Sequence, residues 1–207
     1  MADYANDEEQ LDALKSWWAE NGQVVIIGAV VGLSLVIGTN VYRSSRTETL
    51  QAASALFEQQ YGDLSTAVTA ADGSLVDKYP NTPYAMLASL ANARALVAEG
   101  DLDGAAQQLQ WAVDNADQAA IKAQAQLRLV TVLISQERLD EALEVANRIE
   151  VKSYAASTEE IKGDIAVARG DLDTARNAYQ GALTLVDKSL PQQRTIIQLK
   201  LDGLGSL

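Results

Sequence analysis

The sequence predicts an all-α protein in which a single membrane-spanning helix near the amino end leads into a solenoid of paired helices. Three observations predict it. Between Glu20 and Arg43 lie 22 residues without a formal charge. A phrase of the chain, "GDLDGAAQQLQWAV" from Gly100, returns as "GDLDTARNAYQGAL" from Gly170, with a weaker echo, "ERLDEALEVANRI", from Glu137. Corresponding positions therefore recur after 37 and then 33 residues, and periods of that size mark arrays whose units cannot bury their apolar faces alone. No stretch of useful length alternates apolar and polar residues as a strand would.

Composition narrows the chemistry. The 207 residues carry 16 Lys and Arg against 28 Asp and Glu, a formal net charge of −12. That balance offers no basic footprint to a phosphate backbone, so nucleic acid is not expected as a partner. Cysteine and histidine are both absent, which removes thiolate nucleophiles, disulfides, Cys/His zinc sites and the usual general base near neutral pH. Carboxylates alone can serve as acid and base in glycosidases, but each acidic cluster has a plainer account. "NDEEQLD" reads as a solvated tail, Asp101 and Asp171 as turn residues, and Glu159 and Glu160 as the opening of a helix, where negative charge is favoured. With no Gly-rich phosphate loop and no metal-ligand spacing, neither catalysis nor a cofactor is expected.

The elements follow in order. Residues 1–23 form an acidic tail with six acids and one lysine, where a cleaved signal peptide would carry a basic region, and no A-x-A site follows. Residues 24–42, "VVIIGAVVGLSLVIGTNVY", are expected to remain as a transmembrane anchor. Nineteen residues at ~1.5 Å each reach about 28 Å, close to the hydrocarbon thickness of a bilayer. Trp17 and Trp18 precede the span and Tyr42 closes it, as amphipathic rings do at membrane interfaces. A buried core helix is the alternative, disfavoured because so long an uncharged run is hard to enclose in a small domain. Basic residues flank the span as Lys15 on one side and Arg43 and Arg46 on the other, a count that mildly favours a cytoplasmic carboxyl domain. Gly28 and Gly32 form a G-x-x-x-G on which another helix could dock closely.

From residue 43 to 207 the pattern is helical. In "TETLQAASALFEQQYGDLSTAV", Leu50, Phe57, Leu64 and Ser54, Tyr61, Val68 fall at heptad-like spacing and predict one long amphipathic helix. Pro80 and Pro83 break it, and a new helix is expected from about Tyr84 to Ala98. Gly100 and Gly170 suit the left-handed turn that ends a helix, and Asp101 and Asp171 suit the positive start of the next. Helical pairs are expected near 84–116, 118–150 and 154–187, with a capping helix at 191–203.

Gly100, Leu102, Ala105, Leu109 and Ala112, then Leu139 and Ala142, then Gly163, Gly170, Leu172, Ala175, Tyr179 and Ala182 resemble tetratricopeptide repeat positions. Small residues at Ala105, Ala142 and Ala175 would let the second helix of each pair press on the first, with Leu102, Leu139 and Leu172 burying at the turns. A closer resemblance joins the amino end to this domain: "YANDEEQLDALKSWWAENG", an immediate span, "LFEQQY", "YPNTPYAMLASL", the repeats, and "PQQRTIIQLKLDGL". Over essentially its whole length the chain is similar to the YfgM family of ancillary SecYEG translocon subunits. The resemblance implies a single-pass inner-membrane protein with a cytosolic tail and a periplasmic repeat domain. It further implies partnership with the SecYEG translocon and the membrane-anchored chaperone PpiD, handover of exported client proteins to periplasmic chaperones, and a cytosolic stress-response regulator reached through the tail. The flanking-charge count points the other way on orientation.

First helices of stacked pairs line the concave face of such a solenoid. They bring Leu87, Leu90, Arg94 and Val97 from the first pair, Leu127, Thr131 and Ile134 from the second, and Glu160, Asp164 and Val167 from the third. The expected groove is apolar at one end and acidic at the other, suited to an extended or helical client segment. It lacks the lysine and asparagine set with which some repeats of this kind grip a terminal carboxylate. Several of these leucines could instead pack between neighbouring helices. The other readings of the chain are a cytosol-facing regulatory scaffold and a structural subunit of an envelope complex that never touches clients.

Overall fold

The computed structural model describes residues 3–62 and 74–205, and the described residues are helical with no strand. Contacts divide the chain into two units, residues 1–52 and residues 53–207. Leu64 and Val68, expected to extend the heptad pattern, lie outside the described residues.

Helix α1, Asp3–Tyr61, supplies the first unit. By length and composition it is the one helix among the described residues able to cross a membrane, and its most apolar window is wholly unburied. Along it Val24, Ile26, Val30, Leu33, Val36 and Val41 all stand exposed. Two hydroxyls within this apolar stretch are satisfied by their own helix. Ser34 Oγ donates to the Val30 carbonyl at 2.8 Å and Thr39 Oγ1 to that of Val36 at 3.0 Å, an arrangement compatible with hydrocarbon, which offers no water as partner.

In the second unit the end of α1 packs with α2, Ser74–Lys78, and α3, Pro83–Glu99. Ala53, Tyr61, Leu75, Val76, Ala85 and Ala88 are buried there. Phe57 stacks on Tyr61 with ring centroids 5.0 Å apart, and the Tyr61 hydroxyl donates to Asn92 Oδ1 at 2.8 Å in the interior. Thr82 caps α3, accepting from the Ala85 amide at 3.2 Å, while Pro83 occupies the first turn, where its missing N–H costs nothing. Beyond it follow α4 (Leu102–Asn115), α5 (Ala119–Ser135), α6 (Leu139–Asn147), a 3₁₀ turn at Lys152–Tyr154, α7 (Ala155–Ala168), α8 (Leu172–Leu185) and α9 (Pro191–Gly203). Sequential helices pack on each other throughout, and α5 also packs on α7.

The three turns inside the pairs are the same device. Asp101, Arg138 and Asp171 donate their amides five residues back, to Leu96, Leu133 and Ala166, at 2.8, 2.9 and 2.9 Å. This bond closes a Schellman motif and needs a left-handed residue just before the donor. Gly100 and Gly170 provide it at φ 84° and 77°, while Glu137 provides it at φ 60° without being glycine. Asp101 and Asp171 then cap α4 and α8 through the amides of Gly104 and Thr174 at 2.9 and 3.1 Å. At the middle turn Arg138 replaces the capping aspartate and pairs instead with Glu141, at 2.6 Å.

Ala105, Ala142 and Ala175 are fully buried, consistent with close approach of paired helices. Leu102, Leu139 and Leu172, expected to bury at the turns, are half-buried and lean against the core from its edge. Neighbouring turns are also tied together. Gln136 Nε2 donates to Asp103 at 2.7 Å, and one period later Arg169 Nη2 donates to Asp140 at 2.6 Å.

Candidate functional site

The ten residues expected to form a client face sit on α3, α5 and α7, and the structure treats them unequally. On α3, Leu87 is 49% exposed and Val97 43% exposed. Arg94 is exposed between them and, among the described residues, has no ion-pair or hydrogen-bond partner. Leu90 is 6% exposed and belongs to the core with Met86, Ala93 and Leu109. It offers no surface to a client, because α3 is packed both by the α1–α2 end and by α4, so its accessible face is narrower than the spacing of its leucines suggests. On α5, Leu127 and Ile134 are half-buried against the same core, and Thr131 is exposed with its hydroxyl donating to the Leu127 carbonyl at 3.1 Å.

The acidic end is corrected more strongly. Helix α7 begins at Ala155, so Glu159 and Glu160 lie in its second turn and do not open it. Glu160 and Asp164 do not present free charge. Lys200 of α9 donates to Glu160 Oε1 at 2.8 Å and to Asp164 Oδ2 at 2.7 Å, and the Tyr179 hydroxyl donates to the other Asp164 oxygen at 2.7 Å. Burial, reinforced by the Asp164 and Glu160 carboxylates, pushes the Tyr179 hydroxyl well above its usual range, so it remains a donor at neutral pH. Burial alone would depress Lys200, but its bonds to Asp164 and Glu160 outweigh that and hold its ammonium above the usual range. Val167 is half-buried against the core formed with α8 and α9.

Lys200 is the side chain at this end of the array that the sequence reading missed. The available signal was that Ile197 and Leu201 on α9 and Leu204 just beyond its end are core-spaced and become buried or half-buried, and a lysine set among them must find an acid. Two open clefts lie on the side of the second helices, about 490 Å³ at Ala106, Leu133, Arg138 and Val145 and about 350 Å³ at Leu143, Ala166, Arg169 and Ala178. None of the ten expected residues lines either cleft. Gly28 and Gly32 are exposed on α1 with open space where a side chain would begin.

Residues 15–206 match the family described as tetratricopeptide repeat-like domain. The chain is 30% identical over 207 residues to a protein of Aggregatibacter actinomycetemcomitans, covering 99% of this chain and all of that one. It is 27% identical over 214 residues to a protein of Escherichia coli strain K12, with 99% and 100% covered, and 27% identical over 185 residues to one of Haemophilus influenzae, with 88% and 91% covered. Each of the three bears the name ancillary SecYEG translocon subunit. No solved structure is significantly similar to the chain.

Proposed function

The chain belongs to the tetratricopeptide repeat-like family of ancillary SecYEG translocon subunits, and on that premise we propose that it is a membrane-anchored adaptor standing beside the translocon. It takes up apolar segments of newly exported proteins and, with PpiD, passes them to periplasmic chaperones. The work is binding, without catalysis. The observation that carries this reading is the union, in one chain, of an exposed apolar helix fit for lipid with a repeat domain that leaves Leu87 and Val97 uncovered on a first helix. Anchoring raises the effective concentration of such a face near exit sites even when each contact is weak. Weak contacts are what handover requires.

Residues 24–42 are the inner-membrane span, residues 1–23 the cytosolic tail that reaches a stress-response regulator, and residues 43–207 the periplasmic domain. Family likeness supports this orientation against the flanking basic residues, because the difference between Lys15 and the pair Arg43 and Arg46 is a single charge. Gly28 and Gly32 are the docking face toward the translocon, supported by the open space beside them. Photo-crosslinkers at positions 87 and 97, activated during export, are expected to trap newly exported chains. Protease added to intact spheroplasts is expected to degrade the carboxyl domain.

A structural-subunit reading, in which the repeats only hold stable neighbours, is favoured by one observation: Leu90 is withdrawn into the core and the Glu160–Asp164 end is engaged within the fold. Crosslinks from positions 87 and 97 to membrane partners alone, with none to exported chains, would establish that reading over the adaptor.

A further inference from the structure

The expected groove is acidic at one end through Glu160 and Asp164, and free carboxylates there would attract cationic segments. The folded chain has already supplied the cation. Lys200 spans Glu160 and Asp164 with bonds of 2.8 and 2.7 Å, and its side chain and theirs are only 33%, 17% and 31% exposed. The helix that carries Lys200 is fixed independently of that charge, since Ile197 is fully buried and Leu204 nearly so. The second oxygen of Asp164 is taken by Tyr179. Both carboxylates thus have partners, and a client lysine would have to displace a tethered ammonium to reach them.

We infer that Lys200 is a specificity-determining residue, whose pairing with Glu160 and Asp164 makes the client face select apolar segments without regard to positive charge. The inference rests on the reading of α3, α5 and α7 as that face. The domain's excess negative charge does not undo it, because at physiological salt screening acts beyond about 8 Å, so local pairing decides. Removing the ammonium while α9 stays docked would expose two carboxylates and turn the face toward cationic segments.

The test uses the full chain in lipid nanodiscs at physiological salt and two end-blocked fluorescent peptides. One is unstructured, apolar and uncharged; the other has two of its residues replaced by lysine. The natural protein is expected to bind the two within about twofold. Lys200→Ala is expected to keep the affinity for the uncharged peptide and to bind the lysine peptide about fivefold more tightly, the scale of one partly exposed ion pair. Lys200→Arg, which preserves the charge, is expected to behave as the natural protein. Should Lys200→Ala lose helicity, Lys200→Gln keeps a hydrogen-bonding stem among the carboxylates and is expected to show the same direction of change. The inference is overturned if the natural protein already prefers the lysine peptide fivefold, or if a folded Ala or Gln variant gains nothing. Failure of the face itself has a different signature: neither peptide binds, or Leu87→Glu with Val97→Glu leaves binding of the uncharged peptide unchanged, and the inference then falls with it.

Discussion

The ring of Tyr179 occupies the space into which any side chain at Gly163 would have to project. The ring is buried and tethered through its hydroxyl to Asp164 at 2.7 Å, so it has nowhere to retreat. Gly163→Ala is therefore expected to destabilise the domain by on the order of 1 to 3 kcal/mol, the usual cost of overpacking. Gly181→Ala, also inside a helix but with only the Glu159 carboxylate near its Cβ, at 3.9 Å, is expected to stabilise by about 0.5 to 1 kcal/mol through helix propensity. Opposite shifts of the urea midpoint for these two variants check the packing of α7 on α8.

Glu137 makes the second turn at φ 60°, where the first and third turns use glycine. A left-handed residue with a Cβ costs roughly 1 to 2 kcal/mol, partly offset by the greater unfolded-state entropy of glycine. Glu137→Gly is accordingly expected to raise the urea midpoint by the equivalent of about 0.5 to 1 kcal/mol. Gly100→Ala should lower it by a similar amount. An unchanged midpoint for Glu137→Gly would mean that the middle turn carries no strain.

Stability is expected to be flat in pH across the neutral range, because the chain has no histidine or cysteine. Glu141 is held below the usual carboxylate range by its hydrogen bonds from Arg138, and Asp171 and Asp187 by those from Thr174 and Ser189. A depressed carboxylate contributes stability above its unfolded pKa, here 4.5 for Glu141 and 3.8 for the two aspartates, and loses it as pH falls through the lower folded value. Lys200 has the opposite sign. Raised in the fold, it contributes fully below its unfolded value of 10.5 and loses that contribution as pH rises through the folded one. Thermal melts should therefore decline below about pH 4, and Lys200→Gln should diminish the alkaline decline.

Within the span, Val31→Arg is expected to hinder insertion by about 2.5 to 3.5 kcal/mol on the biological scale. Carbonate extraction of membranes reads the result as protein moved to the soluble fraction. Unchanged membrane retention would dissociate α1 from the anchoring role.

What was legible in the sequence was whatever depends on neighbours along the chain. Gly100 and Asp101 announce a turn because a left-handed residue and a capping carboxylate act within five residues of themselves. Residues 24–42 stand out as a candidate span because lipid asks for length and missing charge, both countable. Glu137 was less legible, since its left-handed backbone is imposed by the repeat and opposed by its own side chain. Leu87 and Leu90 share a periodic stripe, and only the packing of α3 on two sides separates the exposed one from the buried one. Lys200 acts 36 and 40 residues away on Asp164 and Glu160. No local pattern ties it to them, so the face read as acidic is internally neutralised.

The same contrast on α3 yields the functional test. Leu87 and Val97 are already 49% and 43% exposed, so Leu87→Glu and Val97→Glu put charge at the surface for few buried contacts, and surface changes are usually within about 0.5 kcal/mol. Leu90→Glu instead forces a carboxylate into the core beside Met86 and Leu109, where an unpaired charge is among the most destabilising of substitutions. The double variant at 87 and 97 should keep its circular dichroism and melting temperature yet lose most crosslinking to exported chains, while Leu90→Glu should fail to fold. If the double variant keeps full client crosslinking, α3 is not the client surface, and the clefts beside the second helices, at Val145 and Ala178, become the face to probe. If Leu90→Glu stays folded, the packing that withdrew Leu90 from the groove is weaker than its burial implies, and the apolar face of α3 extends over its full length.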